Sequence, residues 1–190
     1  GDVITLKDFK DRPLGTAIFN SKSQIVARRF SRRKQDLDLD FFTRRIERAA
    51  QLRQNLNIPN QLQRLIWSES DGLPGVIIDR YGHCLVLQTL TLGMDLRKDL
   101  IVQALVNHFS DSIPNLTIYL RNDSPSRKAE GLEDEIKILH GTEPTPYTVE
   151  TNGITYEIDL LNSQKTGLYL DQLNAYQELA RLAKDKRVLD

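Results

Sequence analysis

The sequence predicts an α+β protein, and three observations carry that reading. Short runs rich in Val, Ile, Leu and Thr, bounded by Gly, Pro, Asn and Asp, recur in groups along the chain. Between those groups lie stretches with apolar residues at helical spacing. The composition, 39% hydrophobic and 27% charged over 190 residues, is that of an ordinary globular protein with room for one or two cored domains.

The first strands fall at residues 2–6, 14–19 and 24–30, separated by polar turns at 7–13 and 20–23. Three short strands are thin for a free-standing domain. The densest basic run follows at once: Arg28-Arg29-Phe30-Ser31-Arg32-Arg33-Lys34. It can grip RNA phosphates while Phe30 packs or stacks. It can equally be a solvated edge guarding a strand, with Phe30 in the core.

Residues 36–57 are a helix candidate. Asp38 or Asp40 can cap it, Phe42, Ile46, Ala49, Leu52 and Leu56 share one face, and Pro59 ends it. Arg44, Arg45, Arg48 and Arg53 decorate its outer side.

From residue 62 the pattern reads strand, strand, strand, helix, strand, strand, an EEHEE-like order giving a sheet backed on one face by the helix. The strands fall at 64–68, 75–79, 83–90, 117–120 and 136–139. The helix covers 95–109, capped by Asp95, with Leu96, Leu100, Ala104 and Leu105 inward. Cys84, the single cysteine, lies in an apolar strand and reads as a small core residue. One cysteine excludes an internal disulfide and a cysteine-rich zinc site, and suits a reducing cytoplasm. His108 and His140 lack ligand spacing and read as structural, so no metal is expected. The loop at 121–132 is too polar for core and longer than a hairpin turn. Arg127 and Lys128 either face a substrate cleft or, in the plainer alternative, Arg127 pairs with Glu130 and orders the loop.

Pro144 and Pro146 mark a linker. A hairpin over 147–160 turns at Asn152-Gly153, and Ile154, Tyr156, Ile158 and Leu160 alternate with polar residues. Gln164-Lys165-Thr166 then sets an amide, a cation and a hydroxyl beside Gly167, a cluster that suits a carboxylate or phosphate. The plainer reading is a solvated turn, with Asp171 capping a helix over 171–184 that turns Leu173, Tyr176, Ala180 and Ala183 inward.

The run Gln164-Lys165-Thr166-Gly167-Leu168-Tyr169-Leu170-Asp171-Gln172 resembles the QKTG(F/Y)xxDQ motif of the RlmI-like bacterial ribosomal RNA large-subunit methyltransferases. Residues 69–82 (ESDGLPGVIIDRYG), 127–132 (RKAEGL) and 187–190 (RVLD) match in the same order. The resemblance implies the second half of a PUA domain at 1–35 and a linker helix at 36–61. It further implies a central α/β domain at 62–146 and, at 147–190, the opening of a Rossmann-like domain that uses S-adenosylmethionine (SAM). On that reading the chain is a fragment truncated at both ends, with an incomplete cofactor site and no catalytic residue. Gln164, Lys165, Thr166, Asp171 and Gln172 are implied to flank the cofactor, and Arg28, Arg29, Arg32, Arg33, Lys34, Arg127 and Lys128 to meet RNA. The chain departs from the family pattern in two places. Leu173 and Tyr176 stand where arginines are usual, and Ser163 where glycine is.

Charge is uneven although the net is zero. Residues 1–64 hold 14 Lys/Arg against 7 Asp/Glu, and the remainder 12 against 19. A basic front can attract a phosphate backbone by releasing counterions. The partners expected are therefore RNA, large-subunit ribosomal RNA by resemblance, with a homodimer as a further expectation. No membrane is expected, since no apolar run approaches spanning length. A non-catalytic RNA-binding module and a plain α+β scaffold are the rival readings.

Overall fold

The computed structural model describes residues 1–59, 61–142, 146–151, 153–163 and 166–189. Three antiparallel strands, β1 (Asp2–Lys7), β2 (Pro13–Phe19) and β3 (Ala27–Ser31), form an N-terminal sheet in sequential order. Helix α1 (Leu39–Asn55) follows, and Asp38 caps it by accepting from the Phe41 amide at 2.8 Å.

The central sheet has the order β4 (Leu62–Trp67), β5 (Val76–Tyr81), β6 (Cys84–Thr89), β7 (Thr117–Asn122), β8 (Glu135–His140). Every pairing is antiparallel except β6 with β7, which run parallel. That parallel pair needs a crossover, supplied by the short helix α2 (Leu92–Asp95) and by α3 (Lys98–Phe109).

The residues alternate along β6 between two cores. Leu85 and Leu87 join Phe42, Ile46, Ile101 and Leu105 beneath α1 and α3. Cys84 and Val86 join Tyr81, Tyr119, Val149, Ile158 and Leu160 on the other face. The sheet is thus covered on both faces, not on the single face expected. The second cover is the hairpin of β9 (Tyr147–Thr151) and β10 (Ile154–Ile158). Double burial explains why β6 reads as an almost unbroken apolar run. The expected turn residue Asn152 lies outside the described residues, as does Pro144 of the linker.

Three helix expectations need correction. Asp95 caps nothing: α3 starts at Lys98, because the Asp95 carboxylate is drawn inward to the Thr89 hydroxyl (2.7 Å), the Asn122 amide (3.1 Å) and Arg127 (3.0 Å). Leu96 is left 67% exposed. The buried face of α1 is Phe41, Phe42, Ile46, Ala49, Ala50 and Arg53, while Leu52 and Leu56 face out. Arg53 goes in because Asp71 receives it bidentately, at 2.5 and 2.8 Å. Helix α4 (Leu173–Ala183) starts without a side-chain cap from Asp171 and has no buried residue, so Tyr176 and Ala180 are exposed instead of inward.

Buried polar contacts tie the N-terminal sheet to the central unit. Glu130 accepts from Ser23 Oγ (2.5 Å), Asn20 Nδ2 (2.8 Å) and the Leu92 amide (3.3 Å), with Arg28 at 3.7 Å. Burial pushes this carboxyl up, but the hydrogen bonds from Ser23 and Asn20 outweigh it and hold it below its ordinary range. Among the described residues no helix is long and apolar enough to cross a membrane, and no cluster of His, Cys, Asp and Glu could hold a metal ion.

Candidate functional site

Two concavities adjoin along α1, and Leu52 lines both. The first is a groove of about 670 Å³ between β3 and its exit, α1, and the turn at Glu69–Gly72. Arg29, Arg32 and Arg33 enter it from one side, Arg45 and Arg48 from the other. Arg45 donates to the Phe30 carbonyl at 3.1 Å and sits 5.2 Å from the Phe41 ring. Burial first, then the neighbouring charges of Arg48 and Arg44, lower its affinity for its proton. Five like charges converge on one groove, opposed by Glu69 and by an Asp71 already paired to Arg53. Such a groove draws in an anion with several charges.

The basic run is divided by this architecture. Phe30 is core, 4% exposed and edge-on to Phe41. Arg29, Arg32, Arg33 and Lys34 are exposed. Arg28 instead turns toward Glu69 (3.1 Å) and Glu130. In the sequence Arg45 and Arg48 are legible only as helix decoration. Their three-residue spacing puts them on one side of α1, but nothing in the sequence says that β3 lies opposite.

The second concavity is a cleft of about 1060 Å³ between the ends of β4 and β5, the end of α1, and the turn from Thr166 to Asn174. Its organising group is Asp79, fully buried on β5. Arg64 donates to both Asp79 oxygens, at 2.7 and 2.8 Å, and the Thr166 hydroxyl donates to one of them at 2.5 Å. Tyr81 lies beside this pair, its hydroxyl 3.3 Å from Thr166 Oγ1 and accepting from the Leu168 amide at 3.1 Å. Burial, then the Asp79 charge, pushes the Tyr81 phenol up to about 12. Gly167 sits at φ +141°, and a Cβ there would lie 3.0 Å from the Tyr81 ring. The Thr-Gly pair therefore latches the turn onto β5: the hydroxyl reaches the carboxylate and the missing side chain admits the phenol.

Thr166 lines the cleft but is 2% exposed, and its hydroxyl is bonded to Asp79. Gln164 and Lys165 lie outside the described residues. Asp171 and Gln172 are exposed; Asp171 lines the cleft, and Gln172 accepts from the Tyr176 hydroxyl at 2.5 Å.

Arg127 needs correction. It is 2% exposed and donates to the Glu133 carbonyl (2.8 Å), to the Thr89 carbonyl and to Asp95 (3.0 Å). It neither faces a cleft nor pairs with Glu130. The carbonyls at the ends of β6 and before β8 need donors, and the guanidinium fork supplies them. Lys128, next in the chain, is exposed.

A sheet backed by helices thus carries a basic groove and, beside it, a cleft walled by a latched polar turn. The PUA-like domain family matches residues 1–32. Ribosomal RNA large subunit methyltransferase I of Vibrio cholerae is 38% identical over the whole chain, which covers 48% of that protein. The protein of the same name from Aliivibrio fischeri is 42% identical over 93% of the chain and 45% of its own length. A solved structure from Streptococcus mutans, described as a proposed SAM-dependent methyltransferase, superposes with a TM-score of 0.77 at 25% identity, over 94% of this chain and 45% of that one. Another, of a proposed methyltransferase complexed with SAH, gives the same TM-score at 24% identity, over 94% of this chain and 44% of its own. The resemblance to the RlmI-like methyltransferases read from the four motifs is borne out, and so is the α+β fold with its PUA-like front. The chain spans about half the length of the curated relatives it matches.

Proposed function

We propose that this chain is the RNA-handling and cofactor-flanking part of a SAM-dependent ribosomal RNA methyltransferase, acting in the cytoplasm. The observation that carries the reading is the adjacency of the arginine groove and the latched turn along α1. The groove suits an RNA backbone, since most of its guanidinium groups are exposed and few carboxylates oppose them. Similarity over the whole chain to proteins named for ribosomal RNA methylation supports RNA as the partner and SAM as the methyl donor.

On this reading the turn after β10 would flank the donor. Thr166 fixes the turn through Asp79, and Asp171 and Gln172 stand exposed at its far end, where they can meet polar groups of the donor. SAM would supply an electrophilic methyl group. What these residues do is position the turn against β5 and keep it there. The exposed apolar residues of α4, Leu179 at 57% and Leu182 at 64%, fit a helix that further chain of a methyltransferase domain would cover.

Two measurements test the proposal. Structured ribosomal RNA should bind this chain with a steep salt dependence, and Arg32→Ala with Arg33→Ala should flatten the slope. A protein extended to the length of its relatives should bind SAM by calorimetry, and Asp171→Ala should weaken that binding. RNA binding with no SAM affinity in the extended protein would favour the rival, a non-catalytic RNA-binding module.

A further inference from the structure

We propose that Trp67 is a stacking platform for one unstacked nucleobase of the RNA, held in the cleft beside the latched turn. The inference rests on the RNA reading above and adds to it a base subsite. Trp67 is the single tryptophan of the chain, at the end of β4, and it is 52% exposed. Its ring is not loose. The Arg64 guanidinium lies over it, 4.5 Å from the ring centroid, and the two bonds to Asp79 fix that guanidinium in turn. The Trp67 amide also donates to Asp71 at 2.6 Å. An indole with one side backed by a fixed cation and half its surface open is a preorganised surface for a flat heteroaromatic ring.

The surroundings match that ligand. Ile77, paired with Trp67 across the strands, and Leu90 give the cleft an apolar wall. Asn174 brings an amide to the same cleft, where it can meet the edge of a base, while Gln88 and Asp123, which also line it, are bonded to Arg121. The connection to the phosphate groove is direct. Leu52 lines both concavities, and the Arg53–Asp71 pair stands at their boundary, Arg53 lining the cleft and Asp71 the groove. A strand whose phosphates occupy the arginines therefore needs only one base turned out to reach Trp67. Thr166, bonded to the same Asp79 that fixes Arg64, joins the platform to the turn, so a base held there faces the segment proposed to flank the methyl donor.

The single tryptophan makes the test specific. With selective tryptophan excitation, a short unstructured RNA oligonucleotide should quench Trp67 emission on saturation, and the same sequence as a duplex should not, because its bases are already stacked. Anisotropy of the labelled oligonucleotide should show roughly ten-fold weaker binding for Trp67→Leu and near-unchanged binding for Trp67→Phe, which keeps an aromatic face. Retained binding by Trp67→Phe also shows that the site still folds after substitution. If the oligonucleotide binds by anisotropy while Trp67 emission stays constant and Trp67→Leu binds as tightly as the parent, the platform is wrong and the RNA reading stands. Equal quenching by duplex and single strand would also overturn it. If no RNA binds the parent chain at all, the RNA reading fails and the platform with it.

Discussion

Two sets of arginines in this molecule do opposite work. Arg53 on α1 and Arg64, Arg121 and Arg127 in the central unit turn inward, where carboxylates and main-chain carbonyls receive them. Arg121 is 2% exposed and donates to the carbonyls of Leu160 (3.0 Å) and Ser163 (2.7 Å), so it carries the chain leading into the latched turn. In the groove Arg29, Arg32, Arg33 and Arg48 present their charge outward. Among the described residues the carboxylates lining that groove are Glu69 and Asp71, and Asp71 is already held by Arg53. A planar fork with five donors suits both tasks, and what separates them is the supply of acceptors nearby. Where strand ends leave carbonyls and acids buried, arginine becomes part of the interior. Where a helix and a strand edge meet with few acids, its charge stays available for a ligand.

Breaking the interior set should have the largest effect. Arg127→Ala removes donors from two carbonyls and takes the guanidinium from the Asp95 carboxylate, leaving it the Thr89 and Asn122 bonds; that carboxylate is held below its ordinary range, because burial raises it and bonds from Thr89 and Arg127 more than compensate. A loss of roughly 3–5 kcal/mol in urea unfolding is expected, the range for breaking a buried charge pair from one side. RNA affinity per folded molecule should change little, which separates the two sets.

Glu130→Ala should come next, at about 2 kcal/mol, with Asn20 and Ser23 left without their acceptor. Hydrogen exchange should show the N-terminal sheet loosening first. The pH dependence has a definite sign. The folded carboxyl lies below its unfolded value of 4.5, so its contribution is complete above that value and disappears as pH falls through the folded value. Glu130→Gln should therefore flatten the acid limb of the stability profile.

A smaller effect, about 1 kcal/mol, is expected for Thr166→Val, which keeps the shape and loses the bond to Asp79. Increased protease sensitivity between β10 and α4 would locate the effect at the turn. The smallest change in stability, within about 0.5 kcal/mol, belongs to Arg32→Ala with Arg48→Ala. The same pair should weaken RNA binding and reduce the salt slope by about one for each phosphate that the protein no longer neutralises. A large stability loss there would erase the contrast between the two sets.

Local pattern is enough for most of the fold. Strand alternation, turn residues and helical spacing place the strands β1 to β10 and the helices α1 and α4 near their observed positions, because these signals depend on neighbours in the chain. The motif at 164–172 contains the Thr166-Gly167 pair that latches onto β5, where a hydroxyl and an absent side chain coincide.

What sequence alone does not settle is where each polar side chain ends. Arg127 and Lys128 are adjacent and equally basic, yet one is buried and the other exposed. Asp95 has the position of a helix cap and serves the interior instead. Trp67 carries no signal in the chain, and Asp79, although it lies in the matched stretch 69–82, shows nothing there of the partners it meets, since a lone tryptophan and a strand aspartate have no periodic signature. The chain by itself determined its elements and its kinship, through short-range propensity and ordered motifs. Only the tertiary structure decided which charges face inward, because a buried acceptor and the donor it needs lie far apart in sequence and meet when the sheet closes.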